Sequence, residues 1–394
     1  MFPIGGSKPI IQIVLWSTLV LLAPQNSIFV LISSSLRHKI HMIWNHYRVK
    51  FSYARDAISR AGVTWNIPSQ RAGRGHRRGM AEVSALEQTD SRRPNLFIIG
   101  AMKSSTTYLH GLLNAHPDVF MSDPDEPSYF VDPDELKKLW PEMWRSGIWR
   151  SDEAYLQLFQ SAGTAAIVGE ASTNYTKLPL TTGVAERLHA FAPDARLIYL
   201  VRDPVKRSLS HYWHMVRYHA EHRSIAQALR DEVQYVAVSH YSMQLRPFLE
   251  LFGRGQIAVL THEQLVRAPA ATMRELSGWL GIDPAGFDNA TLVPALNVTP
   301  EVVSQPTWNG IPRRVRQTLP IDLVVPYMPR WLRASLHRAA TREVRRSSVQ
   351  IADAIMYLQQ IQRPQVHDFA NLLGRDFPEW TTLYGVPEEQ GLIA

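Results

Sequence analysis

From Pro94 onward, short apolar runs of strand length alternate with longer helix-patterned segments, and nothing else in the 394-residue chain limits its fold as much. Strand-like, mainly apolar runs lie at 96–99, 165–168, 196–201 and 256–260, and helical patterns at 106–114, 181–191, 204–218, 241–251 and 270–280, the last stopping at Gly281. Pro204 sits in the first turn of its helix, where a missing N–H costs nothing. Strands separated by helices lie parallel, and a parallel sheet needs both faces covered. The expected fold class is therefore α/β, a parallel β-sheet flanked by helices on both faces. Beyond about residue 300 the pattern is helical with several Pro breaks and adds no clear strand.

In such sheets ligands bind beyond the C-terminal ends of the strands, so the residues just after each strand are the candidates for chemistry. The first strand runs into Gly100-Ala101-Met102-Lys103-Ser104-Ser105-Thr106-Thr107. A tight loop with Gly and Lys, then Ser/Thr entering a helix, suits a phosphate: backbone N–H groups point at the anion, hydroxyls add donors and lysine supplies charge. The GxxxxGK[ST] spacing of nucleotide triphosphatases is absent. The third strand ends in Val201-Arg202-Asp203-Pro204, with Ser210 two turns into the next helix. Arg202 as a fork and Ser210 as a hydroxyl donor suit one anionic group.

In this order and separation, the two elements resemble those of the sulfotransferases that use 3′-phosphoadenosine 5′-phosphosulfate (PAPS), over about residues 94–385. The resemblance implies the P-loop-like sulfotransferase fold, with Lys103, Ser104, Ser105, Thr106 and Thr107 at the 5′-phosphosulfate, Arg202 and Ser210 at the 3′-phosphate, and no metal. Asp123-Pro124-Asp125-Glu126-Pro127-Ser128-Tyr129-Phe130 resembles the Lys-Glu-Pro-x-Phe/Tyr-Phe element of heparan-type and bacterial carbohydrate sulfotransferases. That implies Glu126 as general base, with Lys103 stabilising charge on the departing oxygen. Gly169-Glu170-Ala171-Ser172-Thr173-Asn174-Tyr175 resembles the family's acceptor-lining element, which implies that Glu170 and Ser172 bind substrate. Asp125 stands where the family usually has lysine, so like-charge repulsion is expected to raise the Glu126 pKa. Ser105 stands where it often has glycine. Residues 241–281 follow the family's later helix–strand–helix segment, residues 373–380 resemble the C-terminal ending of bacterial members, and 297–302 is the candidate for a loop closing over the cofactor. The implied activity is sulfuryl transfer from PAPS to a hydroxyl or amine of an acceptor, a saccharide or other glycan. The alternatives are a nucleotide-dependent kinase of P-loop-like fold and a sulfotransferase for a lipid or small-molecule alcohol.

The chain has no cysteine, which excludes disulfides, cysteine-ligated zinc, iron–sulfur clusters and thiol nucleophiles. The proposed base and phosphate ligands need none of these. The net charge of +7 suggests a polyanion partner until it is placed along the chain. Residues 1–93 carry 13 of the 42 Lys/Arg and 4 of the 35 Asp/Glu, so residues 94–394 are slightly acidic. A second basic stretch, 313–346, has nine arginines against Asp322 and Glu343, and reads as a solvated face or an anion-facing patch. With no aromatic-interleaved basic motif, no nucleic-acid partner is expected.

Residues 9–36 lack charge, and 10–32 is long enough for a membrane anchor, though Pro24, Gln25 and Asn26 interrupt it. The basic residues that follow (Arg37, Lys39, Arg48, Lys50) place the C-terminal part in the cytoplasm. Residues 66–93 are Gly-, Arg- and Ser-rich and read as linker, giving a boundary between an N-terminal segment, 1–93, and a catalytic domain, 94–394. Met80, just before that boundary, is a candidate start. His110, His116, His211 and His214 read as packing or substrate contacts.

Overall fold

The computed structural model describes residues 93–287, 300–306 and 341–385 in full, with the backbone of three short strands, Ile13–Leu15, Thr18–Leu22 and Ile28–Ile32. It divides into two units, Met1–Leu86 and Glu87–Ala394. In the first, the three strands pair antiparallel in sequence order. Among the described residues no helix is long and apolar enough to cross a membrane.

In the second unit the elements that build the site are β1 (Leu96–Gly100), α1 (Thr106–Asn114), β2 (Val119–Met121), α2 (Pro133–Leu139), β3 (Ile167–Ala171), α3 (Val184–Phe191), β4 (Arg196–Val201), α4 (Pro204–Tyr218), α5 (Tyr241–Leu251), β5 (Ile257–Thr261), α6 (His262–Arg267) and α7 (Pro269–Leu280). After them come β6 (Val302–Pro306), β7 (Thr341–Arg345) and α8 (Ala352–Leu373). The five strands β2-β3-β1-β4-β5 form one sheet in that order, every pair parallel. Successive side chains of a strand point to opposite faces. Phe97, Ile99, Leu197, Tyr199 and Val201 accordingly enter one core, and Leu96, Ile98, Ile198 and Leu200 the other. Both faces are buried, as the near-continuous apolar runs require.

Three features depart from expectation. The strand β2 was not expected: three residues are too few to show a period. β3 begins two residues later than its apolar run and extends through Ala171, with Phe97 opposite Glu170. Glu170 therefore lies inside the strand rather than beyond it. Beyond residue 300, β6 and β7 pair antiparallel, Val302 opposite Arg345. Only one valine of that pair, Val303, is fully buried, so no apolar run announced it.

The C-terminal segment is bolted to the sheet. Phe369, Phe377 and Trp380 stack in parallel on one another. Asp203 caps α4 with Oδ1, accepting from the amides of Val205 and Lys206, while its Oδ2 accepts from the Thr382 amide at 2.9 Å. The residue after Arg202 is thus fixed from two directions.

Candidate active site

The C-terminal ends of the parallel strands open on a cleft of about 710 Å³, within the usual range for ligand sites. Its floor begins at Gly100, where φ is 144° and a Cβ would lie 2.0 Å from Thr176 Oγ1, so only glycine lets the chain pass. Lys103 and Ser105 then adopt left-handed φ of 70° and 72°, a conformation that costs non-glycine residues about 1–2 kcal/mol each. The surroundings hold them there: Ser105 Oγ lies 2.8 Å from His262 Nδ1, at the tip of β5. The Ser104 hydroxyl is fully buried and has no hydrogen-bond partner among the described residues. Thr106 and Thr107 open α1, whose first-turn N–H groups face the cleft end of the helix.

Arg202 leaves the tip of β4 and donates through Nη1 to the Lys103 carbonyl at 3.4 Å, so the two motifs meet. Tyr241 donates to the Arg202 carbonyl at 2.6 Å. The Arg202 Nε is buried without a partner among the described residues. Ser210, on α4, lines the same cleft. Behind it Arg207 is fully buried against Ser239 Oγ and the Tyr235 carbonyl, and burial pushes its guanidinium down to about 10. Lys103 is also depressed, by burial first and then by Arg202, Arg217 and Arg207. A buried, cation-rich wall with an orphaned donor, Arg202 Nε, fits a ligand carrying more than one anionic group.

Across the cleft, Glu126 leads from β2. Thr173 Oγ1 donates to its carboxylate, 3.0 Å from Oε2 and 3.1 Å from Oε1. Burial raises the Glu126 pKa, and the charge of Lys177 is the main force opposing it. Asp125 pushes the same way as burial but by less, so the like-charge effect expected from that position is present and secondary.

Lys103, Ser105, Thr106, Thr107, Arg202, Ser210 and Glu126 all line this cleft. Ser104, Glu170 and Ser172 do not; the Ser104 side chain is enclosed beneath the loop. Glu170 accepts from Tyr175 at 2.6 Å, Ser172 at 2.7 Å and Tyr155 at 3.0 Å, fully enclosed. Its position inside β3 turns it to the core face shared with Tyr155 and Tyr175. Ser172 in turn accepts from the Ser128 amide at 2.9 Å. The pair therefore holds the Glu126 loop rather than lining an acceptor site.

His116 is buried, bonded to the Asp283 carbonyl at 2.7 Å, away from the cleft; His211 and His214 line it. Asn174, which opens an N-x-Thr sequence, is buried against Ser128. Residues 297–299 of the loop candidate and Arg313, Arg314, Arg316, Arg330, Arg333 and Arg338 lie outside the described residues. Arg346 does line the cleft. The motifs give no role to Thr173, Lys177, Trp140 or His262, all cleft residues. The available signal was positional: Thr173 and Lys177 follow a strand, four apart, and His262 follows another.

Residues 94–286 match the model of the sulfotransferase family. The human bifunctional heparan sulfate N-deacetylase/N-sulfotransferase 2 is 26% identical over 219 residues, 52% of this chain and 24% of that protein. The mouse heparan sulfate glucosamine 3-O-sulfotransferase 3A1 is 26% identical over 207 residues, 50% of this chain and 48% of that protein. The matches thus span about a quarter to a half of those relatives. A crystallised sulfotransferase from Alicyclobacillus acidocaldarius superposes with a TM-score of 0.53 at 26% identity, covering 73% of this chain and 99% of that one.

Proposed function

Since residues 94–286 belong to the sulfotransferase family, and the chain is accordingly a transferase, we propose that it moves the sulfuryl group of PAPS to a hydroxyl or amine of a saccharide acceptor. The observation that carries this is the convergence of both anion-binding elements and Glu126 on one cleft, with Arg202 Nε left unpaired among the described residues. In this reading Lys103, Ser104, Ser105, Thr106 and Thr107 hold the 5′ end, and Arg202 and Ser210 the 3′-phosphate.

When bound, the donor supplies an activated sulfuryl group on its 5′-phosphate. Sulfuryl transfer is an in-line displacement close in logic to phosphoryl transfer, so positioning and charge stabilisation supply most of the rate. Glu126 takes the proton from the acceptor hydroxyl. Lys103 meets the negative charge that develops on the oxygen bridging sulfur and phosphorus. Leu139, Trp140, Met143 and Leu180 add an apolar wall on the Glu126 side, suited to the C–H face of a sugar.

We take residues 94–394 as the catalytic domain, on the cytoplasmic side of any membrane that residues 10–32 engage. The test is calorimetry with adenosine 3′,5′-bisphosphate against ATP plus magnesium, followed by transfer of radiolabelled sulfate from PAPS to an extract of the producing cells. Binding of the bisphosphate and a labelled glycan are the expected results. Tight binding of ATP alone would turn the assignment to a kinase, and a labelled lipid or small alcohol would change the acceptor class.

A further inference from the structure

The acceptor-lining element runs into the turn Thr173–Thr176, which follows β3, but gives no role to Thr173 and stops short of Lys177, which closes the turn. Thr173 grips both oxygens of Glu126. Lys177 stands at the C-terminal end of this 3₁₀ turn and reaches the same cleft although its residue is only 5% exposed. The Gln244 side chain clamps the next residue, accepting from the Leu178 amide and donating to its carbonyl, both at 2.8 Å. Lys177 is therefore held in place from behind.

A buried ammonium is costly unless something compensates it. Among the described residues no carboxylate lies within ion-pair distance of Lys177. Its ammonium lies 4.6 Å from the centroid of the Trp140 ring, an attractive cation–π placement. Burial depresses it to about 8, and the charge of Glu126 is the foremost opposing influence. The relation is mutual, since Lys177 is what chiefly opposes burial at Glu126. The other charges bearing on the pair are Asp125 and Glu170 near Glu126, and Arg207, Glu142, His211 and His214 near Lys177.

We propose that the segment from Thr173 to Lys177 is a positioning device for the base: Thr173 fixes the direction of the Glu126 carboxylate, and Lys177, enclosed in the wall of the same cleft, supplies the cation that balances its charge. This rests on the sulfuryl-transfer reading, in which Glu126 receives the proton of the acceptor hydroxyl as its oxygen bonds to sulfur and the bond from sulfur to the bridging oxygen breaks. Lys177 keeps its own protons throughout. It acts through Glu126 rather than on the reacting atoms.

The test is a ¹³C-carboxyl NMR titration of the full chain labelled in glutamate, with the Glu126 resonance assigned by its loss in Glu126→Gln. Wild type, Lys177→Met, Lys177→Arg and Thr173→Val are compared, and each is titrated calorimetrically with adenosine 3′,5′-bisphosphate. Lys177→Met is expected to move the Glu126 midpoint upward by about one pH unit or more. Lys177→Arg should stay near wild type, and Thr173→Val should give a smaller upward shift. Bisphosphate affinity should hold within about twofold in all of them, a change small against the tenfold that 1.4 kcal/mol represents. An unmoved midpoint in Lys177→Met, or the same shift in Lys177→Arg, overturns the proposal; if Lys177→Met does not fold, an unmoved midpoint in Thr173→Val does so. Wild type that fails to bind the bisphosphate counts against the sulfuryl-transfer reading instead, while the titration still decides the coupling.

Discussion

Glu126 and Glu170 are two glutamates with raised carboxyl pKa values, burial being the first cause for both, and hydroxyl groups grip each of them. Their surroundings make them opposites. Glu170 satisfies three hydroxyls, Tyr155, Tyr175 and Ser172, inside a closed core. Glu126 has one hydroxyl partner, a cation nearby and an open cleft in front of it. A perturbed pKa alone therefore does not mark a catalytic group; a perturbed group with access to substrate does.

The sharpest way to break the comparison is to neutralise each carboxylate in turn. Glu126→Gln should cut turnover by about 10²- to 10⁴-fold, the usual worth of a positioned base, with bisphosphate binding and the urea midpoint unchanged. Full activity in that variant would remove Glu126 as the base. Neither Glu170 nor His116 reaches the cleft, so the search would then move to His211 and His214. Glu170→Ala should do the reverse, losing about 3 kcal/mol or more of stability at about 1 kcal/mol per orphaned hydroxyl. Chemical denaturation reads it directly, and a variant as stable as wild type would mean the hydroxyl network holds nothing.

A pH series separates the two more finely. Burial raises the Glu170 carboxyl from its ordinary value of 4.5 to about 7. Between those values the folded state holds a proton that the unfolded state has released. Stability from this group is therefore full below about 4.5 and declines as pH rises through about 7, by at most about 1.4 kcal/mol per pH unit. Urea unfolding at pH 5, 6 and 7 should show wild type losing stability relative to Glu170→Gln as pH rises. Parallel curves for the two proteins would place the Glu170 titration outside this window.

The contrast also explains what the sequence made legible. The helices Thr106–Asn114, Pro204–Tyr218 and Tyr241–Leu251 and the strand Arg196–Val201 lie where their apolar periods predict. Local chemistry sets those limits: Asp203 caps α4 and Pro204 opens it. Glu170 was misread because strand ends follow hydrogen bonding across the sheet, and Ile167–Ala171 continues past its apolar run. Three residues of extension at that end moved a carboxylate from the rim to the core. Lys177 was passed over for a related reason: a lysine is usually exposed, and only the fold shows that this one is enclosed beside Glu126.

Ser105 is the finest test, because two opposed effects nearly cancel there. Its φ of 72° favours glycine, so Ser105→Gly relieves strain at the start of α1. The same change removes the 2.8 Å contact with His262 that holds the loop between the tips of β1 and β5. Net stability should stay within about 1 kcal/mol of wild type. Bisphosphate affinity should fall by less than about tenfold, since the backbone N–H groups remain but are held less firmly. His262→Ala should give a similar fall, and the double variant should lose little beyond either single one, because both remove the same bond. Additive losses would show that His262 acts on the ligand by a route of its own, and that Ser105, though strained, does not need its partner to stay where it is.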